Sequence, residues 1–329
     1  MLKKTALLLL VALFSVSMVF AEGAAEEDME GAGDEYPSQP IRLIVPYGAG
    51  GGTDTHARLL VRALEDILPV PIVVVNMGGG ASAIGSREVL EADPDGYTVL
   101  INIVNIWTNQ ALGNTDFGPF DLEPIAEAGT FYLVETTAGD SEWDSFSQVA
   151  ESIQEEPGSV RIATNIGAIT HFTSLGVQQE IGSGAEFNMV HIGDGAQRIA
   201  AVLGGNVDLT IMGTNEAAPY HESGEMKVLA VYAPERVDGM SDVPTAGEQG
   251  VDYVQPVSYW FFAPPGTSQD IVDYLADALE EAMQDEQVLN RLEELTMLPT
   301  FKRDAELDQA IEEQGDRLFE LADIYDLGG

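Results

Sequence analysis

Short apolar strands, glycine turns and amphipathic helices alternate along this chain, and that alternation limits the possible folds more than any other feature. A strand expected at 40–46 leads into a glycine-rich turn, and a helix with apolar residues at helical spacing follows over 54–68. The same order recurs later, with a strand expected at 160–164 and a helix at 171–181. Strands connected through helices pair in parallel. We therefore expect an α/β protein with mostly parallel sheets flanked by helices.

Length and pattern together predict two lobes. The 329 residues suit one large domain or two of about 150 residues each, and the strand–helix pattern starts again at 131–135, after a loop. In open α/β sheets, ligands bind at the carboxyl ends of the strands. We expect a ligand cleft between the two lobes.

The charge balance excludes several classes of partner. The chain has 14 Lys and Arg and 55 Asp and Glu, which gives a net charge of −41. Because 45% of the residues are hydrophobic, the chain is not an acidic disordered tail. Nucleic acids and anionic membrane surfaces would be repelled. The absence of Cys removes disulfides, thiolate metal sites, a thiol nucleophile and a lipidated N-terminus.

The first 35 residues read as an export signal and a leader. Lys3 and Lys4 precede an apolar run at 6–20, and small residues before position 22 predict a signal peptide, 1–21, cleaved after Ala21. The alternative is a single membrane anchor, which the absence of a stop-transfer flank disfavours. Residues 22–35 are mostly small or acidic, so we expect them to form a leader segment. Without a cysteine for lipid, an exported protein needs an outer membrane to retain it, which favours the periplasm.

Glycine turns before helices predict anion binding through the backbone. Such turns aim unpaired N–H groups and the positive end of the helix dipole at a ligand; they occur at 48–53, 78–81, 165–170 and 193–195. Gly78, Gly80 and Ala83 fit a dinucleotide fingerprint, but they follow the second strand, and no acid follows to hold a ribose. No turn carries the lysine of a P-loop. We expect no nucleotide, no metal and no other cofactor.

Catalytic motifs are sparse. His221 and Glu222 do not continue into a zinc-binding H-E-x-x-H pattern, and no G-x-S-x-G elbow occurs. His56 and His171 each lie in the first turn of a predicted helix and could face the cleft or pack beside the loop. Asp54 could stabilise the start of its helix or accept a hydrogen bond from a ligand hydroxyl or ammonium group.

Five segments in register resemble the substrate-binding proteins of tripartite tricarboxylate transporters, the Bug or TctC-like receptors. They are VPYGAGGGTD at 45–54, PDGYTVL at 94–100, LGGNVD at 203–208, VPTAGEQG at 243–250 and APPGT at 263–267. The resemblance implies a monomeric, two-lobed Venus-flytrap fold, with lobe 1 formed by 36–128 and 256–329 and lobe 2 by 129–255. It also implies a small organic di- or tricarboxylate ligand and delivery to two integral membrane subunits.

Family members hold a ligand carboxylate through backbone N–H groups of the loops that correspond to 47–54 and 164–171. The candidate ligand-binding residues are Tyr47, Gly48, Ala49, Gly50, Gly51, Thr53, Asp54, Asn105, Thr164, Asn165, Gly167, Thr170, His171 and Asp194. The sequence departs from the family's usual residues on the second-lobe side, at Asn165, Ala168, His191, Ile192 and Arg198.

Two other functions stay open at this point. An exported enzyme of the hydrolase or lyase class could use the acidic residues on a small anion. A receptor that serves sensing rather than import would have the same sequence features.

Overall fold

The structure, a computed structural model, describes residues 36–193 and 195–328. The predicted signal peptide 1–21, the leader 22–35 and the candidate residue Asp194 lie outside the described residues. Within the described part of the chain, no helix combines the length and the apolar character that a membrane crossing requires.

The described residues form ten strands and ten α-helices. The strands are β1 Ile41–Val45, β2 Ile72–Asn76, β3 Thr98–Asn102, β4 Glu123–Ala138, β5 Arg161–Thr164, β6 Asn188–His191, β7 Leu209–Gly213, β8 Met226–Val231, β9 Pro256–Ala263 and β10 Leu298–Lys302. The helices are α1 Gly52–Ile67, α2 Ala83–Leu90, α3 Asn105–Ala111, α4 Phe146–Glu155, α5 Ile169–Ile181, α6 Gly195–Leu203, α7 Thr214–Ser223, α8 Gln269–Ala282, α9 Glu286–Glu294 and α10 Asp304–Ile324.

The sheet is mixed. Its order is β2-β1-β3-β9-β4-β7-β5-β6, and β8 and β10 also pair with β4. Strand β1 is parallel to β2 and β3, and β5 is parallel to β6 and β7. The α/β class is confirmed, but the expectation of mostly parallel sheets is corrected, because the 16-residue strand β4 pairs antiparallel with β7, β8, β9 and β10.

Strand β4 joins the two parts of the sheet. Its first part pairs with β9 from Glu123 to Tyr132, and its last part pairs with β7 and β8 from Leu133 onward. Successive side chains of a strand point to opposite faces, so this one strand has residues on both sides of the sheet. The lobe boundaries at 128/129 and 255/256 stay a prediction.

Helix α1 buries the apolar face that its sequence predicts. Ala57, Leu60, Val61 and Leu64 are buried at helical spacing, whereas Arg58 on the other face is exposed. A fully buried leucine contributes about 1.5–3 kcal/mol through the apolar surface it removes from water. This packing fixes the start of α1 after the end of β1, so that Gly52 and Thr53 lie at the candidate site.

Candidate ligand-binding site

A cavity of about 410 Å³ lies where several helices begin. Its lining includes residues at or next to the N-termini of α1, α3, α5, α6 and α7, namely Gly52, Asn105, Ile169, Gly195 and Gly213. The first N–H groups of a helix have no partner within the helix, and the dipole makes that end positive. A helix start in the cavity wall therefore favours an anion where its N–H groups are not engaged within the protein.

The loop before α1 forms one wall. Tyr47, Gly48, Ala49, Gly51 and Thr53 all line the cavity, as the sequence predicts for a ligand loop. The N-cap, Gly51, is extended and makes no side-chain cap, so no side chain occupies the start of the helix. This wall therefore presents backbone N–H groups rather than a charged side chain.

Gly50 and Asp54 do not line the cavity; a hydrogen bond between them stabilises the loop. Gly50 has a φ of +81°, a conformation that favours glycine, and its N–H donates to Asp54 Oδ2 at 2.8 Å. Asp54 is 3% exposed and also accepts hydrogen bonds from Arg58 Nε at 3.0 Å and Asn76 Nδ2 at 2.9 Å. Burial opposes ionisation, but these bonds outweigh it and lower the pKa of Asp54. Of its two possible roles, these contacts favour the structural one.

Side-chain amides fix the neighbouring wall. The Tyr47 hydroxyl donates to Asn102 Oδ1 at 2.8 Å, and burial raises the pKa of this phenol. Asn105, which lines the cavity, accepts a hydrogen bond from the Ile169 N–H at 3.2 Å. That bond connects the start of α3 with the start of α5. The Ile169 N–H therefore already has a hydrogen-bond partner within the protein.

In the second predicted loop, Asn165 and Thr170 line the cavity, whereas Thr164, Gly167 and His171 do not. The Gly167 N–H donates to His171 Nδ1 at 3.3 Å, and the Asn165 N–H donates to Thr170 Oγ1 at 3.1 Å. His171 is 7% exposed, and burial lowers its pKa. His171 therefore packs beside the loop, the second of its two possible placements.

The backbone of this loop has fewer donors for a ligand than the resemblance implies. The Ile166 N–H donates to His191 Nδ1, and the Ala168 N–H donates to Asn165 O. Together with the bonds above, these contacts engage every N–H from Asn165 to Ile169 inside the protein. On this side, the cavity is lined by Asn165, Thr170 and the first turn of α5.

Arg198 is the main residue of the cavity that the sequence reasoning did not select. Among the described residues that line the cavity, it is the only Lys or Arg, and it is 9% exposed. Its Nη1 lies 3.4 Å from Gly193 O. A signal was present, since Arg198 departs from the family pattern in a chain with only 14 Lys and Arg. Its acidic counterpart in the lining is Glu216, which is exposed on the first turn of α7.

Tyr259 lines the cavity, and His56 packs against Tyr259. Tyr259 is 1% exposed and stacks on His56 with ring centroids 4.1 Å apart. His56 Nε2 lies 2.7 Å from Ala128 O, and burial lowers the pKa of His56 to about 4. His56 does not line the cavity, so it packs beside the loop as a neutral ring.

Comparison with known proteins decides the family. The profile described as "Tripartite tricarboxylate transporter family receptor" matches residues 56–326. The chain belongs to this family. Protein BugT of Bordetella pertussis is 31% identical over 264 residues, covering 78% of this chain and 80% of BugT. The two-lobed class and the resemblance seen in the sequence are thereby confirmed.

Solved structures share the fold. The periplasmic binding protein BugD is 27% identical, with a TM-score of 0.79, and the match covers 89% of this chain and 99% of BugD. MatC from Rhodopseudomonas palustris, solved with bound malate, is 24% identical with a TM-score of 0.76, over 87% of this chain and 99% of MatC. At that identity, the likeness to MatC extends to the fold alone.

Proposed function

We propose that this solute receptor binds a small organic di- or tricarboxylate in the 410 Å³ cavity and passes it to the two integral membrane subunits of a tripartite tricarboxylate transporter. The observation that carries the proposal is that the start of α1, which has no side-chain cap, and the buried Arg198 line the same cavity. In a chain with a net charge of −41, such a local set of donors is what an anion requires.

One carboxylate of the ligand binds at the start of α1. Gly52 and Thr53 line the cavity, and their N–H groups, in the first turn of α1, have no partner within the helix. Each helix start favours an anion by about 0.3–1 kcal/mol, and more when it is partly buried. This carboxylate site needs no cationic side chain.

A second carboxylate binds near Arg198 and the start of α6. A guanidinium can donate two parallel hydrogen bonds to one carboxylate, which fixes its orientation. Asn165 and Asn215 supply polar side chains for a ligand hydroxyl or further carboxylate oxygen. Two separated anion sites in one cavity select a dicarboxylate over a monocarboxylate.

The receptor does not transform its ligand in this proposal. His56 and His171, the residues first considered as possible cleft-facing groups, are buried outside the cavity lining. The mature protein begins after Ala21, works in the periplasm as a monomer and closes its two lobes, 36–128 with 256–329 and 129–255, on the ligand.

A thermal-shift screen followed by ligand recovery tests the proposal. Succinate, malate and citrate are added to the dialysed mature protein, with succinamide as the uncharged control. A ligand that binds the native state stabilises it by RT ln(1 + [L]/Kd), so the carboxylates should raise the Tm and succinamide should not. The ligand should return unchanged by NMR. Equal shifts with the amide would contradict carboxylate recognition, and a new product would favour the exported enzyme.

A further inference from the structure

A second cavity, of about 350 Å³, lies on the other side of strands β4 and β9 from the ligand cavity. On β4, Phe131 and Leu133 line the ligand cavity, whereas the alternating residues Thr130 and Tyr132 line the second one. On β9, the neighbours Tyr259 and Ser258 divide in the same way. We call this space the rear cavity, defined by Thr130, Tyr132, Ser258, Thr300, Lys302 and Arg317. Its volume falls in the range of small-molecule sites, which starts at about 300 Å³.

Hydroxyl groups form one wall of the rear cavity. Thr130 Oγ1 lies 2.9 Å from Ser258 Oγ and 2.8 Å from Thr300 Oγ1. Each hydroxyl has one donor and two acceptor positions. The wall is therefore polar, and it suits a solute that forms hydrogen bonds.

Two cations, Lys302 and Arg317, supply hydrogen-bond donors to the rear cavity. Two acids balance their charge, Glu313 in the lining and the buried Glu127 beside Lys302, whereas the whole chain has a net charge of −41. Lys302 Nζ is held 2.7 Å from Glu127 Oε1, and Arg317 Nη1 donates to Val254 O at 2.6 Å. An ammonium has three donors and a guanidinium has five, so each cation keeps donors beyond these bonds. This arrangement suits an oxyanion.

The side-chain amide of Gln314 favours a ligand that can donate a hydrogen bond. Oε1 of Gln314, which also lines the rear cavity, is buried and has no hydrogen-bond partner within the described residues. A buried acceptor without a partner is costly, and a ligand hydroxyl would satisfy it. We propose that the rear cavity is a second binding site, for a small hydroxylated carboxylate. Its carboxylate accepts hydrogen bonds from Lys302 and Arg317, and its hydroxyl donates to Gln314.

This site would also regulate the ligand cavity. Only the thickness of β4 and β9 separates the two cavities, and these are the strands predicted to cross between the lobes. An occupant that prefers one arrangement of these strands changes the affinity on the other face, and the coupling is reciprocal. The binding proposal stands independently of the proposed transport function.

Calorimetric titration of the mature protein with glycerate tests the rear site. Ala310→Phe places a ring at the rear cavity without removing a polar partner, and Ala305→Phe makes the same change at an exposed position of α10. Ala49→Trp obstructs the ligand cavity instead. Glycerate should bind the Ala305 and Ala49 variants like wild type and bind Ala310→Phe at least tenfold more weakly. A second variant, Arg317→Gln, should also lose at least tenfold. Loss of glycerate binding in Ala49→Trp alone, or no binding to wild type, would overturn the proposal.

A second titration tests the regulatory role. The probe is a carboxylate that still binds the Ala310→Phe variant, in which the rear cavity is blocked. It is titrated into wild type with and without saturating glycerate. The two affinities should differ by at least about fivefold, the low end of typical allosteric coupling. Ala310→Phe should abolish that difference. Equal affinities in wild type would overturn the regulatory role.

Discussion

Replacing Arg198 with methionine should weaken dicarboxylates selectively. The guanidinium is 9% exposed and lies in the cavity wall, so solvent screens it weakly. A hydrogen bond to a charged group contributes about 1.5–3 kcal/mol, and about 1.4 kcal/mol corresponds to a factor of ten in affinity. Arg198→Met should therefore raise the Kd of succinate by about 10- to 150-fold. Succinamate, which keeps one carboxylate for the start of α1, should lose less.

Isothermal titration of succinate and succinamate into both proteins measures this difference. Arg236→Met is the matched control, because Arg236 pairs with Glu248 at the surface, outside the cavity lining. The control should bind both ligands like wild type. Equal losses for succinate and succinamate in Arg198→Met would refute a second carboxylate site, and unchanged succinate binding would remove Arg198 from the ligand site.

Three further predictions follow from named groups. Burial raises the pKa of the Glu135 carboxyl from 4.5 to about 8. The folded protein therefore keeps a proton that the unfolded chain loses, so the contribution of this proton to stability is fully present below pH 4.5 and is lost as the pH rises through 8. In urea unfolding, Glu135→Gln should match wild type near pH 4 and be more stable at pH 8, by at most about 5 kcal/mol; equal stability at both pH values would refute this. Gly50→Val should weaken ligand binding at least tenfold because φ is +81°, whereas Gly184→Val, at φ +93° away from the cavity, should not; similar binding by both variants would remove the loop from the site. Because the net charge of −41 repels an anionic ligand, added salt should speed association in stopped-flow experiments, and a slower rate would contradict this.

The sequence predicts the parallel part of the fold well and the antiparallel part poorly. The strand predicted at 160–164 is β5, Arg161–Thr164, and the helix predicted at 171–181 is α5, Ile169–Ile181, because their apolar patterns are local. Only 131–135 of β4 is predicted, since Pro124, Glu127 and Gly129 interrupt an apolar pattern. Glu127 is fully buried because Lys302 pairs with it from 175 residues away, a contact that no local pattern contains. Helices α3, α7 and α9 and strand β10 are also missed; α7 contains Pro219, which argues against a helix.

For the candidate site, the sequence predicts the loops but not the opposite wall. Glycine-rich turns before helices have a clear local signal, and Tyr47, Gly48 and Ala49 do line the cavity. Arg198, Asn215 and Tyr259 come from three distant segments and meet only through the sheet order. Asp54 illustrates the opposite case: its position in the first turn suggests a ligand contact, but Asn76 and Arg58 engage its carboxylate.

The central claim is that backbone N–H groups at the start of α1 bind a ligand carboxylate. Amide NMR of the isotope-labelled mature protein during a succinate titration tests it most directly. The Gly52 and Thr53 amide protons should shift downfield and saturate at one equivalent, as expected for N–H groups that donate to a carboxylate. Saturable succinate binding with both amide signals unmoved would contradict the account.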